Sequence, residues 1–431
     1  MSTSDRPIET AVREFATAFG TGAFAEAADR LTEGGREAVV ASYPDEFRDE
    51  SLDTEDALER YWWGLYGQYG DFEGIGNVAV DDGAATVPLR FANGTERATV
   101  EVDEGHIAGI SFSPDYEVPD YVDRDTFTER DVTIDAGDVH LPGVLAVPDG
   151  DGPVPGVVLV HGHGIHDPDG TAGSTKILND LAWGLASDGF ATLRYEKRLH
   201  EHEVTADAYT LDAVVTDDAV CAVDTLADVD AVASDEVVVA GHSQGGMCAP
   251  RIADRHGDVA GVVLLDPPAD PIVDPDDLGW LRYSMAIDGE LSEEQKAELE
   301  ARRETFRRIA DADFEPDETI LGMPGVWHLS HHDCDPVATA SGLDVPAFVL
   351  KTGRADEEIQ PELHEFRRQE YEQWQTAELP EGSRTDCYAT VDHYFQDGPT
   401  PVTPTCLYFG GNVAEFVVDD IAAWIRDVTD D

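Results

Sequence analysis

The segment Gly241–Gly245 constrains the fold of this chain more than any other part of the sequence. It has the pattern Gly-X-Ser-X-Gly and lies between an apolar run, Glu236–Ala240, and a helical segment that continues from Met247. A sharp turn from strand to helix needs both glycines, because a Cβ atom at either position would collide with the neighbouring strand or helix. Such a turn lifts the Ser243 hydroxyl above the sheet, beside a helix N-terminus that favours negative charge. We therefore predict that Ser243 is a nucleophile.

From residue 131 onward, apolar strand-like runs alternate with helical segments. Two lead strands precede Gly156–Val160, an uninterrupted apolar run that is typical of a strand buried on both faces. The alternation predicts an α/β fold, with a mostly parallel sheet and helices on both of its faces. It is interrupted at about 271–335 by a charged, helical insert, which we interpret as a cap over an active site.

A second glycine-rich loop, His161–Gly164, directly follows the apolar strand that contains Val160. Backbone N–H groups of such a loop, together with that of Gln244, can stabilise the oxyanion of a tetrahedral intermediate. We assign the donor in this loop to His163, with Gly164 as the other candidate. The imidazoles of the loop do not complete a zinc ligand set, so we expect no metal here.

These motifs resemble those of the α/β-hydrolase superfamily. The resemblance is carried, in order, by His161–Gly164, by Asp167–Gly170, by Asp180–Arg198 and by the sequence GHSQGGMCAPRIA around the serine. It is strongest to a microbial serine-hydrolase group, and it implies esterase-type chemistry with a Ser-His-Asp triad and no cofactor. His163 stands where that group usually has a small residue, which would narrow the acyl site.

A serine nucleophile needs a base, and the base needs an orienting acid. His393 follows the last predicted strand and precedes the closing helix, and we choose it as the base. Asp356 lies just past the strand Val345–Lys351, where the triad acid of this fold is usual, and we choose it as the acid. Asp266 ends the preceding core strand and is the alternative acid.

Residues 1–118 have a different pattern. Helical segments, Ile8–Leu31 and the aromatic-rich Leu58–Tyr69, come first, and short strand-like runs follow, which predicts a small α+β unit. This order resembles the cone-shaped nuclear-transport-factor-like domain found ahead of some bacterial and archaeal hydrolases. We expect it to dock near the cap or to mediate assembly into a homo-oligomer. A linker is expected at 119–130, and the hydrolase domain at 131–431.

Composition excludes some partners. Asp and Glu number 90 and Lys and Arg number 28, which gives a net charge of −62. Nucleic acids and anionic membranes need a basic surface, so we expect neither as a partner.

Only four residues of the chain are lysine, and this scarcity resembles the composition of halophilic proteins. At about 1 M salt the Debye length is about 3 Å, so the repulsion between the acidic surface groups is largely screened. With no leader-like or membrane-spanning apolar run, we expect a cytoplasmic protein.

The expected activity is hydrolysis of a small-molecule carboxylic ester with a short or medium acyl chain, through an acyl-enzyme intermediate. The same residues would serve a peptidase similar to prolyl oligopeptidase, a thioesterase or a lactonase, because a fold does not fix a substrate. The non-enzymatic alternative is a catalytically silent binding module that retains the fold.

Overall fold

The structure is a computed structural model that describes residues 5–45, 48, 52–81, 83–104, 106–150 and 152–429. It contains two units, one formed by residues up to Phe112 and one that begins at Phe127. Among the described residues, no helix combines the length and the apolar character needed to cross a membrane.

The first unit consists of four helices followed by an antiparallel sheet. Its elements are α1 (Asp5–Gly20), α2 (Phe24–Asp29), α3 (Glu33–Ser42), α4 (Thr54–Tyr69), β1 (Phe72–Ile75), β2 (Ala79–Asp81), β3 (Ala84–Phe91), β4 (Gly94–Asp103) and β5 (His106–Phe112). The strands pair in the order β1-β3-β4-β5, and β2 pairs with β3. The prediction of one helical segment over Ile8–Leu31 is wrong, because the chain turns at Gly22, whose φ of +76° is not helical.

The second unit is built around an eight-stranded sheet. Its elements are β6 (Phe127–Asp135), β7 (His140–Pro148), β8 (Val154–Val160), β9 (Thr171–Ala172), β10 (Thr175–Lys176), α5 (Ile177–Ser187), β11 (Ala191–Tyr195), α6 (Asp217–Ala227), β12 (Val232–His242), α7 (Gln244–His256), β13 (Gly261–Leu265), α8 (Gly279–Met285), α9 (Glu293–Ala310), β14 (Thr319–Ile320), β15 (Met323–Pro324), α10 (Gly325–His332), α11 (Pro336–Ser341), β16 (Ala347–Thr352), α12 (Pro361–Gln375), β17 (Arg384–Tyr388) and α13 (Glu415–Thr429). β6 begins inside the segment predicted as a linker.

The strand order of this sheet is β17-β16-β13-β12-β8-β11-β7-β6. The six strands from β17 to β11 are parallel, and β7 and β6 are antiparallel, as the alternation predicts. The central strands are buried on both faces, and two separate apolar clusters fill the spaces between the sheet and its helices. The parallel strands therefore end at one edge, where the loops that follow them come together.

The insert between β13 and β16 is helical. Its longest helix, α9, begins at a capping box, in which the Ser292 hydroxyl accepts from the Gln295 backbone N–H and the Gln295 side chain accepts from the Ser292 backbone N–H.

The two units also share a core. Phe409, from a short 3-10 helix before α13, belongs to the apolar cluster of the first unit, where its ring lies 5.1 Å from that of Phe112.

Candidate active site

Ser243 lies at the junction between β12 and α7. Its backbone has φ 53° and ψ −115°, a conformation that a residue with a side chain rarely adopts. A Cβ atom at Gly241 would overlap the backbone of Gly245, and one at Gly245 would lie 2.5 Å from the carbonyl oxygens of Val160 and His161. The steric requirement predicted for the two glycines is therefore confirmed, and it holds Ser243 in a strained turn at the sheet edge.

His393 lies in the turn that follows β17, next to the serine turn. The Nε2 atom of His242 donates to the carbonyl oxygen of His393 at 2.8 Å, and the two imidazole rings are 4.8 Å apart. Since His242 directly precedes Ser243, this contact brings the predicted base beside the predicted nucleophile. The side chain of His393 is 44% exposed, so a substrate can approach it.

The carboxylate paired with His393 is that of Asp266, which follows β13. Its Oδ2 atom lies 2.6 Å from Nδ1 of His393, which must carry the proton because a carboxylate only accepts. The Thr352 hydroxyl donates to the same oxygen at 2.7 Å, and the Lys351 ammonium lies 2.8 Å from Oδ1. Burial alone would raise the pKa of Asp266, but the charge of Lys351 and the bond to His393 hold this pKa well below its usual value. Asp266 is therefore an anion.

Asp356 does not contact His393, so the choice of Asp356 over Asp266 as the orienting acid is corrected. Its Oδ1 atom accepts from the backbone N–H groups of Glu358 and Ile359, both at 2.9 Å, and its Oδ2 atom accepts from the Thr400 hydroxyl at 3.2 Å. The carboxylate thus closes its own turn. Both acids follow neighbouring parallel strands, and position along the chain cannot distinguish them.

The loop His161–Gly164 lies against the serine. A Cβ atom at Gly162 would be 3.4 Å from Cβ of Ser243. The backbone N–H groups of His163 and Gln244 donate to no acceptor among the described residues, so both can bind an oxyanion. Gly164, the other predicted donor, has a φ of +107°, a value that glycine adopts readily. The backbone can therefore change direction directly after His163.

Lys197 connects the two segments that carry these donors. Its ammonium donates to the Gly162 carbonyl at 2.7 Å and to the Gln244 side-chain oxygen at 3.3 Å. The side chain is buried, and burial lowers the pKa of Lys197 to about 8. The sequence contains a signal for this role. Two of only four lysines, Lys197 and Lys351, follow or end apolar strands, and a buried lysine requires partners.

The helical insert contacts the same loop. The His163 ring lies 5.9 Å from the buried ring of Trp327 in α10, and the Trp327 ring lies 4.7 Å from that of His331. Burial, together with the charge of Lys197, lowers the pKa of His163 to about 4, so this imidazole is neutral at pH 7. His163 therefore presents an uncharged aromatic ring between the insert and the serine turn.

One group among the described residues has the donor set of a metal site. Ligand atoms of Glu196, His200 and Glu201 lie within 4.8 Å of one another. Two of the three side chains are exposed, and exposed acidic groups are abundant in this chain. We assign no metal to them.

Comparisons with known proteins identify the family. The sequence profile of the alpha/beta hydrolase family matches residues 157–402. Esterase EstD of Thermotoga maritima is 32% identical over 382 residues, which cover 86% of this chain and 87% of that protein.

Solved structures with a similar fold include the hyperthermophilic esterase from the archaeon Pyrobaculum calidifontis. It is 17% identical with a TM-score of 0.45, over 70% of this chain and 86% of the esterase. Est1E from Butyrivibrio proteoclasticus is 14% identical with a TM-score of 0.41, over 70% of this chain and 99% of Est1E. The profile match and the similarity to EstD show that this chain belongs to the alpha/beta hydrolase family and is a hydrolase.

Proposed function

We propose that the chain hydrolyses carboxylic esters through a covalent acyl-enzyme on Ser243. The observation that carries the proposal is the placement of Ser243 in a strained turn beside His393, whose Nδ1 atom lies 2.6 Å from the buried Asp266 carboxylate. The similarity to Esterase EstD supports an ester as the substrate. Asp266 replaces Asp356 in the proposed triad.

In the first half-reaction, the Ser243 oxygen attacks the ester carbonyl carbon, and Nε2 of His393 accepts the hydroxyl proton. The Asp266 carboxylate keeps the proton on Nδ1, which leaves Nε2 free to act as the base and stabilises the imidazolium that forms. The tetrahedral intermediate then expels the alcohol, which takes the proton from His393. In the second half-reaction, water attacks the acyl-enzyme in the same way and releases the acid.

The negative charge on the carbonyl oxygen would be stabilised by the backbone N–H groups of Gln244 and His163. The loss of one such donor costs about a hundred- to a thousandfold in kcat. Lys197 holds the two donor segments together through its bonds to Gly162 and Gln244. We propose that the acyl chain of the substrate is short or medium in length. The His163 ring packs against the Trp327 ring on one side of the loop His161–Gly164, and this contact would limit the room for an acyl chain there.

The test is labelling with a fluorophosphonate probe in molar KCl, followed by turnover of a substrate panel. We expect wild type to be labelled and Ser243→Ala to remain unlabelled, with Ser284→Ala as a control for serine replacement elsewhere. Absence of labelling in folded wild type would contradict the proposal and favour a silent binding module. The panel compares p-nitrophenyl esters of increasing chain length with X-Pro peptides, thioesters and lactones, and a preference for any of the last three would replace the ester in our proposal.

A further inference from the structure

A buried arginine joins the first unit to the turn that carries His393. Arg354 follows β16 and is 0% exposed. Its Nη2 atom donates to the Gly67 carbonyl, near the C-terminal end of α4, at 2.5 Å, and its Nη1 atom lies 3.1 Å from Oδ2 of Asp392. One guanidinium therefore contacts both the first unit and the residue directly before His393.

Asp392 determines the shape of that turn. Its Oδ1 atom accepts from the backbone N–H groups of Tyr394 at 2.9 Å and Gln396 at 3.2 Å. The Asp392 backbone carbonyl also accepts from the N–H of Phe395 at 2.8 Å. His393 lies inside this set of bonds, so a change in the position of the Asp392 carboxylate would change the position of the imidazole.

The guanidinium satisfies acceptors on both sides of the turn. Besides Asp392, Nη1 donates to the Gln396 carbonyl at 3.4 Å, and Nε donates to the Pro399 carbonyl at 2.8 Å. Burial raises the pKa of Asp392, and the charge of Arg354 opposes that rise. A lysine cannot reproduce this planar set of donors, because its ammonium is a single point.

Two glycines allow the close approach from the first unit. A Cβ atom at Gly67 would overlap the Cys406 sulfur and lie 3.3 Å from Nη2 of Arg354. A Cβ atom at Gly398 would lie 2.6 Å from the same nitrogen. The junction is therefore built to bring α4 against the guanidinium.

We propose that Arg354 is a positioning residue for His393 and that, through its bond to Gly67, it makes the first unit part of the catalytic apparatus. This inference rests on the proposed function. Arg354 does not touch the substrate. It acts by holding Asp392, and Asp392 holds the turn that presents the imidazole to Ser243 and Asp266. The first unit supplies the acceptor that fixes the far side of the guanidinium.

The test uses full-length variants in molar KCl and separates kcat from KM on p-nitrophenyl acetate. We expect Arg354→Met to lower kcat by about ten- to a hundredfold, because small misplacements of catalytic groups have effects of that size, with KM changed less than about twofold. Arg354→Lys should recover part of the loss, since it keeps the charge but not both contacts. The matched control is Tyr66→Phe, which removes another bond across the same junction, from the Tyr66 hydroxyl to the Thr400 carbonyl, and should leave kcat near wild type.

A folded Arg354→Met variant with wild-type kcat would overturn the proposal. A loss of kcat in Tyr66→Phe as large as that in Arg354→Met would also overturn it. Such a result would mean that any disturbance of the junction lowers kcat, and that Arg354 has no specific role. If Arg354→Met does not fold by near-UV circular dichroism, Arg354→Lys and Asp392→Asn decide on the same readout, and wild-type kcat in both overturns the inference. Turnover by Ser243→Ala would instead contradict the proposed function, so the two failures are distinguishable.

Discussion

At the scale of single residues, the site combines buried charges of both signs. Asp266 is an anion because Lys351 and His393 surround it, and the buried Lys197 ammonium donates to the Gly162 carbonyl in the loop His161–Gly164. Buried charges are costly unless they are paired and hydrogen-bonded, so each has partners on more than one element. The partners of these charges lie on the segments that carry the groups we propose to react.

The first prediction separates the two aspartates. We expect Asp266→Asn to lower kcat by about 10³- to 10⁴-fold, because an amide cannot keep His393 in the tautomer that the reaction needs. Asp356→Asn is the matched control and should stay within a few fold of wild type, because that carboxylate only bonds its own turn and Thr400. The measurement is kcat on p-nitrophenyl acetate, and the reverse ranking of the two variants would contradict the assignment.

The second prediction concerns stability at alkaline pH. Burial lowers the pKa of Lys197 to about 8, whereas an unfolded lysine titrates near 10.4. Between these pH values the unfolded chain binds more protons than the folded chain. The contribution of Lys197 to the free energy of unfolding therefore rises with pH, by about 2 kcal/mol from pH 7 to 9.5. Other groups also titrate in this range, so the measurement is the difference in the free energy of unfolding between wild type and Lys197→Met, from urea unfolding at both pH values; this difference should shift by about that amount in favour of wild type. Lys296→Met removes an exposed lysine, so its difference from wild type should stay constant, and a constant difference for Lys197→Met as well would contradict the assignment.

At the scale of elements, the parallel core could be predicted from the sequence because its strands are apolar on both faces. The run Gly156–Val160 lies within β8, and the predicted strand Val345–Lys351 overlaps β16. The pairing of His393 could not be predicted, because Asp266 and Asp356 both follow strands that are neighbours in the sheet. The two acids differ in their side-chain environment, because Lys351 and Thr352 face Asp266. The pattern of apolar and polar residues along the sequence does not show which side chains surround each acid.

The third prediction concerns the contact between the helical insert and the loop His161–Gly164. Replacing His163 by alanine removes the ring packed against Trp327 but keeps the backbone N–H that we assign to the oxyanion. We expect the ratio of kcat/KM for p-nitrophenyl octanoate to that for the acetate to rise by about tenfold, a size typical of added room for apolar groups. His332→Ala is the control, because His332 bonds the Ile309 carbonyl elsewhere in the insert. An unchanged ratio in His163→Ala would show that the ring does not limit the acyl site.

At the scale of the whole molecule, the two units are not independent bodies joined by a linker. Helix α4 packs against the segment that follows the His393 turn, and the Tyr43 hydroxyl lies 2.7 Å from that of Thr405. The sequence predicted two units, and it did not predict that part of the second completes the core of the first. Chain order conceals this, because Phe409 stands almost three hundred positions after Phe112.

The fourth prediction tests that shared core. Phe409 is 2% exposed, and its ring lies 6.1 Å from that of Tyr61 and 5.1 Å from that of Phe112. We expect Phe409→Ala to lower the free energy of unfolding by about 3–5 kcal/mol, the usual loss for a buried phenylalanine, in urea titrations at molar KCl. Phe416→Ala is the control, because Phe416 is 41% exposed in α13 and should cost far less. Equal losses in the two variants would mean that Phe409 contributes no more than a surface ring, and the two units would then be separable in stability. A larger loss in Phe409→Ala that is accompanied by a lower kcat would connect the shared core to the His393 turn, because Phe409 lies on the segment that follows this turn and against which α4 packs.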